Sequence, residues 1–376
     1  MPDTQSSSPI FADEQRRRLA LGLGAALALS ALAGCKPESF GVGEIAVETG
    51  SSSAPQAASA PYFAELTVPA SRYRSLDFDW QDASRQRAVP ARLYLPAEAA
   101  PAGGLPLLLF SHGLGGSRRG YSYLGAYLAS QGLASLHVQH VGSDRGLWTG
   151  NIFSLVGRLQ DAAKESEALN RVADVRFALD QLLASEQGES IDLQRIAAAG
   201  HSYGANTTML LAGARVLRQG QVLPLLEPRI KAAILISAPP FYGESDLAPI
   251  LQDIRIPTLH ITATQDVIQV PGYYSAAEDR IKVFEAMGGP SKALAVFEGG
   301  SHSIFTDRAG TGGLALNPQV KVATRELALA FLRQTLIEPA TGGVAQGLQP
   351  WRQRYGRMLQ RWEAPAGPAQ ALAGVN

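Results

Sequence analysis

The chain has 376 residues, 46% of them hydrophobic, which is enough to bury a sizeable core and too long for a minimal domain. Its 33 basic and 33 acidic side chains balance, which removes the electrostatic reason to expect nucleic acid as a partner. A single cysteine, Cys35, excludes an intrachain disulfide.

The N-terminus reads RRRLALGLGAALALSALAGC. Arg16, Arg17 and Arg18 precede an apolar run from Leu19 to Ala33, shorter than the ~20 residues a helix needs to cross a bilayer. That length favours a signal peptide over a permanent span. Leu32-Ala33-Gly34-Cys35 resembles the lipobox of bacterial lipoproteins. The resemblance implies a signal peptide over 1–34, cleaved before Cys35, with lipid on that cysteine. The chain is then exported and lipid-anchored to a bacterial membrane, and Lys36 in place of an aspartate points to the outer membrane. An ordinary secretory signal with a chance cysteine is the alternative. Residues 35–61 are rich in Ser, Ala, Gly and Pro and read as a flexible tether.

From Tyr62 short apolar runs alternate with longer amphipathic ones, defining a domain over 62–338. YRSLDFDW and ARLYLP are expected as early strands, and LPLLLFS as a buried parallel strand ending in HGLGG. LGAYLASQG follows as a helix and LASLHVQH as a strand. The stretch GSDRGLWTGNIFSLVGRLQDAAKES is long for a connection and is a candidate lid. Val172, Val175, Leu179, Leu182 and Leu183 give the next segment helical spacing, which stops at Gly188. RIAAAG is a strand, YGANTTMLLAGARVL a helix, and IKAAILISA, IPTLHITAT and KALAVFEGG are three more strands. PQVKVATRELALAFLRQTL closes the domain as a helix. Alternation of this kind predicts an α/β fold with a mostly parallel sheet of about eight strands and helices on both faces. The C-terminal extension, 339–376, carries PWRQRYGRMLQRW, expected as a helix packed on the domain.

Gly200-His201-Ser202-Tyr203-Gly204 stands between an apolar strand and an amphipathic helix, the setting of a nucleophile elbow. Glycines on either side permit a sharp turn that projects the hydroxyl of Ser202. A serine needs a base, and six histidines are available. His112 and His201 flank glycine-rich turns and are expected to shape them. His137 and His260 fall inside apolar strands, and His140 closes one; none has metal-ligand spacing with another. His302, in the Gly-rich loop EGGSHSIF after the last strand of the domain, is the expected base. Asp266, directly after another strand, is its expected carboxylate, with Glu298 a conceivable substitute; Asp246 and Asp253 read as surface charges. The order Ser, Asp, His is that of α/β-hydrolases. An oxyanion hole takes one amide from Tyr203 and one from Leu114 in HGLGG. Tyr121, Tyr123, Trp148, Tyr203 and Phe305 are candidate pocket residues.

LFSHGLGG, GHSYGA, TQD and GGSHSIF together resemble bacterial platelet-activating-factor-acetylhydrolase-like and dienelactone-hydrolase-related α/β-hydrolases. QHVGSD and LNRVADVRFALDQLL extend the resemblance. It implies Ser202, Asp266 and His302 as a catalytic triad with the Leu114 and Tyr203 amides as oxyanion donors. It also implies a small, short-chain ester substrate and no cofactor. Dienelactone hydrolases use a cysteine nucleophile, and Ser202 stands at that position here, so a general serine esterase is the expectation. A serine amidase or peptidase, and a non-catalytic lipoprotein that keeps the fold for binding, are the alternatives.

Overall fold

The structure is a computed structural model that describes residues 66–365, apart from 150, 152–153, 242, 271–272, 309–310, 312 and 339–342. The expected signal segment, the tether and Cys35 therefore lie outside the described residues. In chain order the first elements are Tyr73–Asp82 (β1), Arg87–Pro96 (β2), Leu105–Ser111 (β3), Ser122–Ser130 (α1), Ala134–Val138 (β4), Leu155–Ala162 (α2) and Glu165–Leu183 (α3). Ile191–His201 (β5) and Tyr203–Leu211 (α4) follow, then the two-residue strands Leu217–Arg218 (β6) and Gln221–Val222 (β7). Ile230–Ile236 (β8), Ala248–Leu251 (α5), Thr258–Gln265 (β9), Ile268–Val270 (β10), Tyr273–Ser275 (β11) and Glu278–Ala286 (α6) come next. Lys292–Ser301 (β12), Leu316–Leu332 (α7), Gly343–Tyr355 (α8) and Leu359–Glu363 (β13) complete the chain. The chain divides into two units. One takes in 58–268 and 275–376; the described residues of the other, Gln269–Val270 and Tyr273–Tyr274, form most of the two-stranded ribbon β10–β11.

Nine strands form the main sheet in the order β1-β2-β4-β3-β5-β8-β9-β12-β13. The six strands from β4 to β12 are parallel, while β1, β2 and β13 run antiparallel at the edges. The ninth strand is β13, which the charged and aromatic sequence LQRWE had concealed.

Why the apolar runs form this sheet is visible in β3. Leu105, Leu107 and Leu109 enter one core with α3 and α4, whereas Leu108 and Phe110 enter the other with α1, α7 and α8. Side chains alternate across a strand, so a strand covered on both faces must be apolar throughout. Ile196 and Ala198 of β5 face the first core, Ala197 and Ala199 the second. Arrangement of a mostly parallel central sheet between two helical layers makes this an α/β-hydrolase fold.

Two elements end earlier than the residue pattern suggested. The helix expected over YGANTTMLLAGARVL stops at Leu211, because Gly213 adopts φ +113° and lets the Ala214 amide close on the Met209 carbonyl at 2.9 Å. β4 stops at Val138, where its pairing with β2 ends at Ala91, so His140 lies beyond the strand. No helix of the described residues is long and apolar enough to cross a membrane.

Candidate active site

β5 and α4 are joined by one residue, Ser202, at φ 54° and ψ −121°. Its amide still donates to the Ile236 carbonyl at 2.9 Å, so the parallel ladder holds the chain up to the turn. The glycines on either side serve close approach and not left-handed backbone. A Cβ at Gly200 would overlap the Gly204 carbonyl, and one at Gly204 would overlap the Ser111 carbonyl. Helix and strand can cross this tightly only without side chains there.

The structure brings Ser202, His302 and Asp266 into one line. Asp266 follows β9, and its Oδ1 accepts from His302 Nδ1 at 2.7 Å. A carboxylate only accepts, so the proton sits on Nδ1 and Nε2 is left as acceptor. The Ser202 hydroxyl donates to that Nε2 at 2.8 Å. Asp266 is fully buried and also accepts from the Thr262 hydroxyl at 2.7 Å. Burial alone would raise its pKa. The hydrogen bond and charge of His302 and the Arg280 guanidinium, 3.6 Å away, outweigh that and hold the carboxyl far below the usual range. Glu298 is exposed and turned toward Thr264, 3.4 Å away, outside this line.

His302 begins a short 3-10 turn, His302–Phe305, reached through Gly299 and Gly300 at φ +72° and +89°. Its carbonyl accepts from His201 Nε2 at 3.0 Å. That makes His201 Nδ1 the acceptor for the Tyr121 hydroxyl, 2.8 Å away. Burial pushes the His201 pKa down to about 3, and a neutral ring is what donating on one side and accepting on the other requires.

This network corrects the expectation that Tyr121 lines a pocket, for its ring is 4% exposed and works from inside. Phe305 is likewise corrected: it is fully buried against Phe297, and its carbonyl accepts from the Tyr123 hydroxyl at 3.0 Å. A ring that water cannot reach cannot meet a substrate without repacking. Trp148 differs, being 48% exposed, with its indole N–H 3.3 Å from the Gly115 carbonyl.

Leu114 and Tyr203 flank Ser202. A Cβ built on Gly113 would lie 3.2 Å from that of Ser202, so the HGLGG turn passes directly beside it. Neither the Leu114 nor the Tyr203 amide donates to another described residue. Gly115, at φ +73°, leaves no room for a side chain beneath the Trp148 indole. The candidate lid lies against this turn. Gly115 donates to the Ser143 carbonyl at 2.8 Å, Arg145 to the Gly116 carbonyl at 2.7 Å, and the Leu114 side chain packs with Leu147 and Leu159.

Behind the turn is a buried charged cluster that reading by residue type had missed. Arg171, fully buried, donates to Thr207 Oγ1, Ser143 Oγ and the His112 carbonyl. Asp174 pairs with Arg85 and Arg87 and accepts from His140. Its signal was present: Arg171 and Asp174 share the helical face of Val175 and Ala178, so two charges sit on an apolar stripe. Among the described residues no group of His, Cys, Asp or Glu side chains could hold a metal ion.

Residues 89–153, which include the HGLGG turn, match the family model of platelet-activating factor acetylhydrolase, isoform II. A platelet-activating factor acetylhydrolase of Cavia porcellus is 28% identical over 151 residues, covering 32% of this chain. The chain thus spans about a third (34%) of the length of that curated relative. A ferulic acid esterase from Streptomyces cinnamoneus superposes with a TM-score of 0.52 at 21% identity, over 72% of this chain and 92% of that one; the likeness is one of fold. A cold-adapted esterase from an Arctic intertidal metagenomic library aligns over 62% of this chain and 86% of its own, with a TM-score of 0.44 and 18% identity.

Proposed function

We propose that the chain is a serine hydrolase of carboxylic esters, with Ser202 as nucleophile, His302 as base and Asp266 as its carboxylate. The observation that carries this reading is the Ser202–His302–Asp266 line, at 2.8 and 2.7 Å, with the serine on a strained turn. As Ser202 Oγ attacks the ester carbonyl carbon, His302 Nε2 takes its proton. The carbonyl oxygen becomes an oxyanion, which the Leu114 and Tyr203 amides receive. Collapse expels the alkoxide with the proton from His302, leaving an acyl-enzyme. Water then attacks with His302 again as base, releasing the acid and restoring Ser202. The sequence of steps uses no cofactor.

Short-chain acyl esters are the proposed substrates, a reading supported by the acetylhydrolase name of the Cavia porcellus relative. Trp148 is the proposed aromatic wall, since of the five candidates it alone is exposed, Tyr121, Tyr123 and Phe305 being buried and Tyr203 partly so. A bacterial envelope location, with lipid on Cys35, is proposed on the sequence LAGC.

The test is hydrolysis of p-nitrophenyl acetate, butyrate and octanoate by the full chain in mild detergent. Ester turnover should fall at least about 10⁴-fold in Ser202→Ala, because removing the nucleophile leaves only residual binding and oxyanion effects. Turnover that survives the substitution would refute the reading. Faster cleavage of the matching p-nitroanilides would turn it to an amidase. In cells fractionated without detergent, Cys35→Ser should move activity from the membrane fraction to the soluble one, and an unchanged distribution would remove the lipid anchor.

A further inference from the structure

Arg171 is the largest fully buried side chain, and it stands between the two backbone segments that carry the free amides beside Ser202. On the turn side its Nη2 donates to the His112 carbonyl, two residues before Leu114. Its Nη1 donates to Ser143 Oγ at 2.8 Å, and the Ser143 carbonyl holds the Gly115 amide, one residue after Leu114. On the helix side its Nε donates to Thr207 Oγ1 at 2.9 Å, and that hydroxyl donates in turn to the Tyr203 carbonyl at 3.2 Å. The guanidinium carbon lies 4.4 Å from the centre of the Tyr203 ring. Leu114 is therefore bracketed on both sides, and Tyr203 is held through its carbonyl and its ring.

A buried cation must be compensated, and here the compensation is arranged through the same groups. Ser143 Oγ donates a hydrogen bond to Glu167 Oε1 at 2.7 Å, and Glu167 pairs with Arg87, which also binds Asp174. The planar fork of a guanidinium meets three acceptors in fixed directions, which an ammonium on a flexible stem does not. None of the hydrogen bonds of Arg171 reaches Ser202 or His302. Such a residue acts on chemistry only through the amides it orients.

We propose that Arg171 is a positioning residue that sets the distance and direction between the Leu114 and Tyr203 amides, and so the strength of the oxyanion site. The inference rests on the ester-hydrolase reading and deepens it. Oxyanion donors work only when preorganised; removing a single one in such enzymes costs ~10²–10³ in kcat. Loosening both without removing either should cost less.

The experiment uses a ¹³C-carbonyl-labelled methyl trifluoromethyl ketone, which adds Ser202 Oγ to its carbonyl and leaves a tetrahedral hemiketal oxygen where the oxyanion would form. The NMR shift of the labelled carbon against pH reports how strongly that oxygen is held as an anion. In Arg171→Lys we expect the titration to move to higher pH than in the wild type. Alongside it, kcat should fall roughly 10-fold while KM stays within about twofold, the split expected of an interaction made mainly in the transition state. Ser143→Ala and Thr207→Val each remove one of its contacts, and should move the titration the same way by less. They carry the test if Arg171 variants do not fold. A folded Arg171→Lys with an unmoved titration, or unmoved Ser143→Ala and Thr207→Val adducts, would overturn the proposal. A wild type that forms no adduct at Ser202 would instead overturn the hydrolase reading on which it stands.

Discussion

Ser202 sits where L side chains are uncomfortable, at φ 54° and ψ −121°. Residues held in such regions carry about 1–3 kcal/mol of strain, sustained by the surrounding structure. Glycine lacks the Cβ that makes this region costly, although it adds about 0.5–1 kcal/mol of unfolded-chain entropy. Ser202→Gly and Ser202→Ala both lose the hydrogen bond to His302, but only the glycine variant relieves the backbone. The glycine variant should therefore be the more stable by about 1 kcal/mol, read as a higher urea midpoint at unchanged slope. Equal midpoints would mean that the strain only matches the entropy cost of glycine, and a glycine variant less stable by about 0.5–1 kcal/mol would mean that the turn stores none. At this scale Ser202, Asp266 and His302 were legible because each ends a strand in a turn, and strand ends of a parallel sheet converge. Tyr121 and Phe305 were not, because an aromatic in a loop has the same neighbours in sequence whether its ring points out or in. Nor does residue type alone reveal that His201 links the Tyr121 hydroxyl to the His302 carbonyl, since that contact spans 80 and 101 residues.

Trp351 shows what the last elements do. On α8, 5% exposed, it stacks on Trp362 of β13 at 5.3 Å and meets Phe297 of β12 edge-on at 6.4 Å. Its indole N–H donates to the Ala323 carbonyl of α7 at 2.9 Å. One side chain thus ties four elements, including the strand that leads to His302. Trp351→Ala should cost about 3–5 kcal/mol, the usual range for deleting a buried indole. Chemical denaturation of the full chain measures it, and a loss below about 1 kcal/mol would make α8 and β13 peripheral. The helix expected over the whole of PWRQRYGRMLQRW ends at Tyr355; its first half was readable, Trp351 and Tyr355 lying one turn apart. β13 was not. Its five residues alternate Leu, Gln, Arg, Trp and Glu, all partly or wholly exposed, as an edge strand's may be and a loop's equally. What fixes it as a strand is the free edge of β12, which only the assembled sheet provides. The parallel strands from β3 to β12 were legible for the opposite reason: buried on two faces, they are built around apolar runs such as LPLLLF, IAAA and AAILI.

Across the whole molecule, five of the six histidines are buried and neutral in the native state. Burial lowers the pKa of His137 to about 4 and those of His140, His201 and His260 to about 3; His112 is pushed well down by burial and by Arg171. Hydrogen bonds demand the same protonation. His112 Nε2 accepts from the His140 amide at 3.1 Å, so a second ring proton would break that contact. In the unfolded chain each histidine titrates near 6.5. Below that pH the unfolded state takes up protons that the native state refuses until about pH 3–4. Stability therefore rises with pH through this window and falls as the solution is acidified, by up to about 1.4 kcal/mol per pH unit for each histidine. Asp266 and Asp174, whose pKa values are depressed, contribute stability that is present above about 3.8 and lost below it, so they act at lower pH. Urea midpoints at pH 7.5, 6.5 and 5.5 should accordingly drop, with the slope at pH 5.5 corresponding to about four to five protons taken up on unfolding. His137→Gln, which keeps a side chain able to donate and accept, should remove about one of them. A midpoint that stays level from pH 7.5 to 5.5 would mean that these rings take up protons in the folded protein as readily as in the unfolded chain, and that the fold does not depend on keeping them neutral.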